Sequence, residues 1–244
     1  FHYEQSMMCL KHGKHVLCEK PMGINAGEVR QMIDEAAARK LFLMEAMWTR
    51  FIPATEKLIE LISDRAIGDI LFMRADFGFR ADPNPEGRLF NKKLGGGALL
   101  DIGIYPIYMS LLLLGYPARI SAMSRMSPTD VDTYFSMLFD YKNGARAILE
   151  TTLEADTPTE AYIYGTHGHI KLHSRFHHSE KISIYRNRKL QEVSELKHQG
   201  EGYIYEIEEV NQCLLEGRTQ SSKLPLSLSL ELAKLLEQVH EKAK

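Results

Sequence analysis

"KHVLCEKPMGINAGEVRQMIDEAAARKLFLME", residues 14–45, changes its hydrophobic rhythm twice within one short stretch. Val16-Leu17-Cys18 is a brief apolar run ended by Pro21, the pattern of a buried strand with a polar tip. Asn25 followed by Glu28 has capping-box spacing, with Asn in place of Ser or Thr, and Val29, Met32, Ile33 and Ala36 then mark one helical face. Arg39 and Lys40 close that helix with charges suited to its negative end. "LFLME" (41–45) is a second buried strand, and residues 3–12 read as a helix ahead of the first. The opening of the chain therefore runs helix, strand, helix, strand, the alternation of a parallel α/β sheet.

Beyond Trp48 the texture changes. A helix is expected from Pro53 to Ser63, with the proline in its tolerated first-turn place, followed by the strand "DILFMRADFGFRA". A loop then leads into "LGGGALLDIGIYPIY" (94–108) and a core helix. From 117 onward apolar residues alternate: Val131, Thr133, Phe135, Met137 and Phe139 fall on one side of a strand. Four or more antiparallel strands are expected there, and two amphipathic helices, with apolar positions at 203, 207, 210, 214 and at 228, 232, 235, 239, finish the chain. The fold class is α/β joined to α+β: part of a doubly wound sheet, then a large, mostly antiparallel one.

At 244 residues and 44% hydrophobic the chain is able to fill a real core, and a net charge of −2 gives no electrostatic reason to expect nucleic acid or an anionic membrane as partner. The longest apolar run, "MSLLLLG" (109–115), has core-helix length. Cys9, Cys18 and Cys213 are odd in number and widely spaced, so neither a disulfide framework nor a metal knuckle is expected, and a reducing cytosol is the expected location. The start, Phe1-His2-Tyr3-Glu4, reads as the middle of a protein.

Several side chains are candidates for chemistry. Glu19 and Lys20 lie at the carboxyl end of a predicted parallel strand, where ligands of open α/β sheets bind. Pro21 holds Lys20 extended and raises the odds of a cis bond, although by composition alone Glu-Lys-Pro also reads as a strand-end turn. Gly95-Gly96-Gly97 lacks the Gly-Lys-Ser/Thr of a P-loop, and none of the seventeen glycines begins a G-x-G-x-x-G, so the run reads as a turn allowing close approach. Asp101 and Tyr105, four apart, share a helical face, with Pro106 expected to kink the helix or mark its start. A phenol serves as general acid/base when a neighbouring cation, such as Lys20, lowers its pKa; the alternative is a buried tyrosine bonded to a structural aspartate. In "HGHIKLHSRFHH" the histidines 167, 169, 173, 177 and 178 have no interleaved carboxylate or cysteine, and they read as exposed hairpin residues rather than metal ligands. Trp48 and Arg50 in "MWTRF" either line a pocket or staple two domains.

In combination, "LKHGKHVLCEKPMGIN", "MEAMWTRFIPA", "RLFNKKLGGGALLDIGIY", "GTHGHIKL" and "GEGYIYEIEEV" resemble the glucose-fructose oxidoreductase, inositol dehydrogenase and MocA family, in its dihydrodiol dehydrogenase and D-xylose dehydrogenase-like branch. The resemblance implies an NAD(P)-dependent oxidoreductase passing hydride between a nicotinamide cofactor, NAD or NADP with NADP favoured by the branch, and a hydroxyl or carbonyl carbon of a sugar, polyol or diol. It implies that residues 1–46 are the C-terminal part of a Rossmann-type dinucleotide-binding domain, and that residues 47–244 form a substrate-binding domain whose open-faced sheet makes a homodimer. By the same likeness Lys20, Tyr105 and Asp101 are catalytic, with Glu19, Lys20, Pro21, His15, Trp48 and Arg50 bordering the cofactor and no metal involved. The family's fingerprint glycines belong to its first βαβ unit, and the chain is expected to begin after it, as an inactive fragment of an active enzyme. A noncatalytic dimerising or sensing module that keeps the family's sheet is the alternative.

Overall fold

The computed structural model describes residues 1–243, and contacts divide the chain into two compact units. Residues 1–52 and 199–237 make the first; residues 53–198 and the chain from 238 onward make the second. The segment from Gln199 to Glu237 thus returns to the first unit.

The first unit opens with α1 (His2–Lys11), β1 (Val16–Glu19), α2 (Ala26–Arg39) and β2 (Leu43–Ala46). β1 and β2 pair in parallel, from Val16 opposite Leu43 to Glu19 opposite Ala46. The capping expectation holds: the Asn25 side chain accepts from the Glu28 N–H at 2.8 Å, and Glu28 reaches back to accept from the Ile24 N–H at 3.0 Å. Lys40, in the left-handed conformation, ends the helix. β1 alternates rather than being buried throughout: Val16 and Cys18 enter the core while Leu17 and Glu19 are exposed.

In the second unit α3 (Pro53–Ser63) precedes β3 (Ile70–Gly78), and α4 (Ile104–Leu114) follows the long loop. β4 (Arg119–Met126), β5 (Asp132–Asp140), β6 (Arg146–Thr152), β7 (Ala161–Gly165), β8 (Gly168–Leu172), β9 (Lys181–Arg186) and β10 (Lys189–Glu195) complete it. The eight strands form one sheet in the order β10-β9-β8-β7-β3-β6-β5-β4, antiparallel except where β3 lies parallel to β6. Val131, Thr133, Phe135, Met137 and Phe139 are all buried, as their alternation demands. The opposite face carries Met123, Leu138 and Ile148, all exposed, and a row of stacked rings, Phe72 on Tyr164 at 4.4 Å and His169 on Tyr185 at 4.5 Å.

The chain closes with α5 (Ile204–Leu215) and α6 (Leu226–Lys242). Leu226, Leu230 and Ala233 join Leu10, Val29, Met32, Ala36 and Leu43 in one apolar cluster of the first unit. Each Leu, Val or Met side chain of this cluster, fully removed from water, contributes about 1.5–3 kcal/mol. The helical run Lys92–Leu114 is long and apolar enough to span a bilayer by length and composition, which the apolar run alone did not suggest. Its most apolar window is 72% buried inside the protein, the signature of a core helix.

Candidate active site

The two units carry their candidate groups on different elements. In the first unit the parallel pair ends in carboxylates, Glu19 on β1 and Glu45 on β2, with Lys20 next in the chain. The Lys20 N–H donates to Glu19 Oε2 at 3.1 Å, and the Lys20–Pro21 bond is cis. Glu45 is buried, and its Oε1 accepts from the Met22 N–H at 3.0 Å. Burial pushes its carboxyl above the usual range, with the Lys20 charge among the influences opposing the shift.

The returning segment completes this end. The Trp48 ring stacks on Tyr203 at 4.4 Å with an interplanar angle of 15°, and Arg50 Nε donates to the Lys223 carbonyl at 2.9 Å. Trp48 and Arg50 therefore tie their turn to the segment that precedes and follows α5. Glu206, in the first turn of α5, is only 4% exposed, and its Oε2 has no hydrogen-bond partner among the described residues. Burial, and then the charge of Glu19, push its pKa up to about 8, so it holds a proton at neutral pH. Spacing on α5 marked its helical face but gave no sign of this group. His15 lies at the opposite, amino end of β1, where its Nδ1 accepts from the Phe42 N–H at 2.9 Å. That bond stitches β1 to the start of β2, and the structure does not bring His15 to the Glu19–Lys20 end.

In the second unit the glycine run is shaped by its neighbours. A Cβ on Gly96 would lie 2.7 Å from the Arg88 and Leu89 carbonyls. Gly97 has φ +124°, and its Cβ would meet Asp132 Oδ1 at 2.5 Å. Asp132 is buried and accepts from the Leu99 N–H at 2.7 Å, so the chain turns over this carboxylate as it enters the helix. Burial raises the Asp132 pKa against that bond.

The turn continues as a π-helical segment, Leu99–Gly103, before α4 starts at Ile104. Pro106 thus sits just past the π segment, at the third position of α4. Asp101 lies within the π segment and Tyr105 at the second position of α4. Arg88, unmarked by any spacing in the sequence, places Nη1 2.6 Å from Asp101 Oδ1. Tyr105 is 6% exposed, with the Phe77 ring at 5.7 Å and the His177 ring at 4.8 Å. His177 is itself 7% exposed on a short 3-10 turn, Phe176–His178, rather than standing in solvent on a hairpin. Among the described residues no group of three His, Cys, Asp or Glu side chains converges to hold a metal.

A parallel βαβ element whose first strand ends in Glu-Lys-Pro, and in the second unit an open-faced sheet with Asp101 and Tyr105 at the start of a core helix, is the arrangement expected of a two-unit oxidoreductase of the dinucleotide-binding class. Residues 1–47 match the oxidoreductase family with an NAD-binding Rossmann fold, and residues 55–171 match the GFO/IDH/MocA C-terminal domain. The chain is 37% identical over 244 residues to trans-1,2-dihydrobenzene-1,2-diol dehydrogenase of Xenopus tropicalis, covering 97% of this chain and 73% of that one. The human enzyme of the same name is 36% identical over 247 residues, covering 98% and 73%. Among solved structures, the 3-ketoreductase KijD10 of Actinomadura kijaniata, in complex with NADP and TDP-benzene, superposes with a TM-score of 0.87 at 26% identity, over 99% of this chain and 74% of that one. The chain belongs to the GFO/IDH/MocA family of NAD(P)-dependent oxidoreductases, dehydrogenases of CH–OH groups.

Proposed function

We propose that the protein oxidises a secondary hydroxyl of a small vicinal diol or aldose, with NADP as the working cofactor, and that Tyr105 is its acid/base. Support for the substrate class comes from the dihydrodiol dehydrogenases it resembles, and for NADP from the cofactor in the KijD10 complex. The relatives named above are all oxidoreductases, and a noncatalytic module finds no support among them.

The observation that carries the assignment is the placing of Tyr105: a nearly buried phenol in the first turn of α4, following an aspartate already fixed by Arg88. The donor set of the first unit suits a nicotinamide. Lys20 supplies a cation at the carboxyl end of a parallel strand, Trp48 a flat aromatic wall, and Glu206 a buried carboxyl oxygen without a partner. A bound nicotinamide would supply the acceptor for the hydride of the substrate carbon. Lys20, Glu19 and Trp48 hold its nicotinamide half, with Pro21 and Arg50 shaping the backbone around them. Tyr105 takes the hydroxyl proton at Oη during oxidation and returns it during reduction, and Asp101 orients the hydroxyl. Initial rates with NADP and NAD against a panel of trans-dihydrodiols, aldoses and inositols test the reading; activity confined to another chemical class would overturn it.

The exposed face with Met123, Leu138 and Ile148 beside the Phe72, Tyr164, His169 and Tyr185 rings supports a homodimer built sheet to sheet. Light scattering on the parent and on Ile148→Lys reads this directly, with the variant expected to be monomeric. Three free cysteines accord with a reducing, cytosolic location.

A further inference from the structure

We propose that His177, His178 and His198 form a proton relay that connects Tyr105 to solvent at Glu180. The proposal rests on the assignment of Tyr105 as acid/base. A base that is almost fully buried has a problem that its own chemistry does not solve: each turnover, CH–OH plus oxidised cofactor giving C=O, reduced cofactor and H+, leaves one proton in the interior. Tyr105 is 6% exposed, so little of its surface meets bulk water.

The imidazoles lie in a line leading outward. The His177 ring is 4.8 Å from Tyr105 and 4.5 Å from His178, and the His178 ring is 5.8 Å from His198. Separations of this size bring successive rings into contact or to within about one water of it. The line ends on an exposed group: His177 is buried, His178 half-buried, and the His198 side chain, 9% exposed, places Nδ1 3.7 Å from Glu180 Oε1, whose side chain is 48% exposed. His198 Nε2 lies 3.2 Å from the His178 carbonyl, and since a carbonyl only accepts, that nitrogen carries the hydrogen. Nδ1 is thereby the atom that takes up a second proton, facing the carboxylate that balances the resulting charge.

Phe77 stacks on His177 at 4.4 Å and holds its plane. On the same strand Asp76 is engaged by the Thr159 and Glu160 N–H groups, and before α4 Asp101 is engaged by Arg88. The step balances: the substrate O–H breaks as the Tyr105 Oη–H forms, that bond breaks as an N–H forms on His177, and the proton passes through His178 to His198 Nδ1 and then to water, restoring the phenolate. In the reducing direction the same path runs inward. A cluster that the sequence offered as a poor metal site thus has a use that needs only the amphoteric character of imidazole near neutrality.

The test uses His177→Phe, which keeps a ring between Phe77 and Tyr105 but removes both nitrogens, with His198→Asn as the outer variant and Tyr105→Phe in parallel. Diol oxidation is followed against pH, with and without added imidazole. The expected result for His177→Phe is a fall in kcat of about tenfold or more near pH 7, an unchanged KM for cofactor, and recovery of kcat on adding imidazole. His198→Asn is expected to show the same rescue from a smaller loss. An unchanged kcat in His177→Phe, or a loss that no buffer rescues, overturns the relay and leaves the histidines as packing. If His177→Phe does not fold, the presence or absence of imidazole rescue in His198→Asn decides. Full turnover in Tyr105→Phe overturns the acid/base assignment itself and the relay with it, whereas its loss alongside a fully active His177→Phe removes the relay alone.

Discussion

Arg88 and Asp101 meet at 2.6 Å across the glycine turn, linking the loop before the π-helical segment to a carboxylate inside it. Arg88 is 66% exposed on its side chain while Asp101 is 14% exposed, so the contact has one wet and one sheltered partner. An ion pair of this kind contributes little to stability, on the order of 0–1 kcal/mol. What it fixes is the direction of a carboxylate. Arg88→Met is therefore expected to leave the melting temperature nearly unchanged while lowering kcat/KM for the diol by about tenfold. Steady-state kinetics beside a thermal melt check this; a large loss of stability with normal kinetics would show the pair to be structural.

Tyr105→Phe removes one oxygen from a nearly buried ring and keeps its contacts with Phe77 and His177. Turnover should fall by about a hundredfold or more, with cofactor affinity unaltered. Single-turnover rates and cofactor titration separate the two effects, and normal turnover would sink the assignment.

Gly97→Ala combines a backbone conformation that L side chains rarely adopt with a Cβ at 2.5 Å from Asp132 Oδ1. A destabilisation of about 1–3 kcal/mol follows from the strain and overlap. Gly144→Ala serves as the control: its φ is also positive, but the added Cβ meets nothing within 4 Å. Equal losses in denaturant melts of the two variants would show that Asp132 plays no part.

Glu206 gives stability a pH dependence of predictable sign. Its folded pKa is about 8, whereas an unfolded glutamate titrates near about 4.3. Between those values the folded chain keeps a proton that the unfolded chain releases, so this group lowers stability progressively as pH rises, by at most about 1.4 kcal/mol per pH unit, and levels off above the folded pKa. Glu206→Gln should exceed the parent in stability at alkaline pH, with the gap closing toward pH about 4. A gap independent of pH would contradict the buried, protonated carboxyl.

What the sequence made legible was whatever local rules govern. Asn25 and Glu28 announce the start of α2 because a cap is satisfied within a few residues, and the alternation from Val131 to Phe139 reports a half-buried strand because pleating has period two. The return of Gln199–Glu237 to the first unit was not legible, since helical periodicity shows that a face will be buried and not against what. Arg88 escaped notice, and His177 read as an exposed hairpin residue, for a similar reason: an arginine in a polar loop and a histidine in a run of histidines acquire meaning only from Asp101 and Tyr105, which reach them through the fold. The π-helical segment was equally hidden. Four-residue spacing placed Asp101 and Tyr105 on one face of a regular helix, while Gly97 and Pro106 admit a wider turn between them.

β3 has a consequence for how the second unit assembles. It is made before every other strand of its sheet, yet Met73 pairs with Ala147 on one side and Ile163 on the other. The strands on either side are joined to one another by short connections, whereas every pairing of β3 spans a long stretch of chain. β3 is thus the seam that makes one surface out of two meanders.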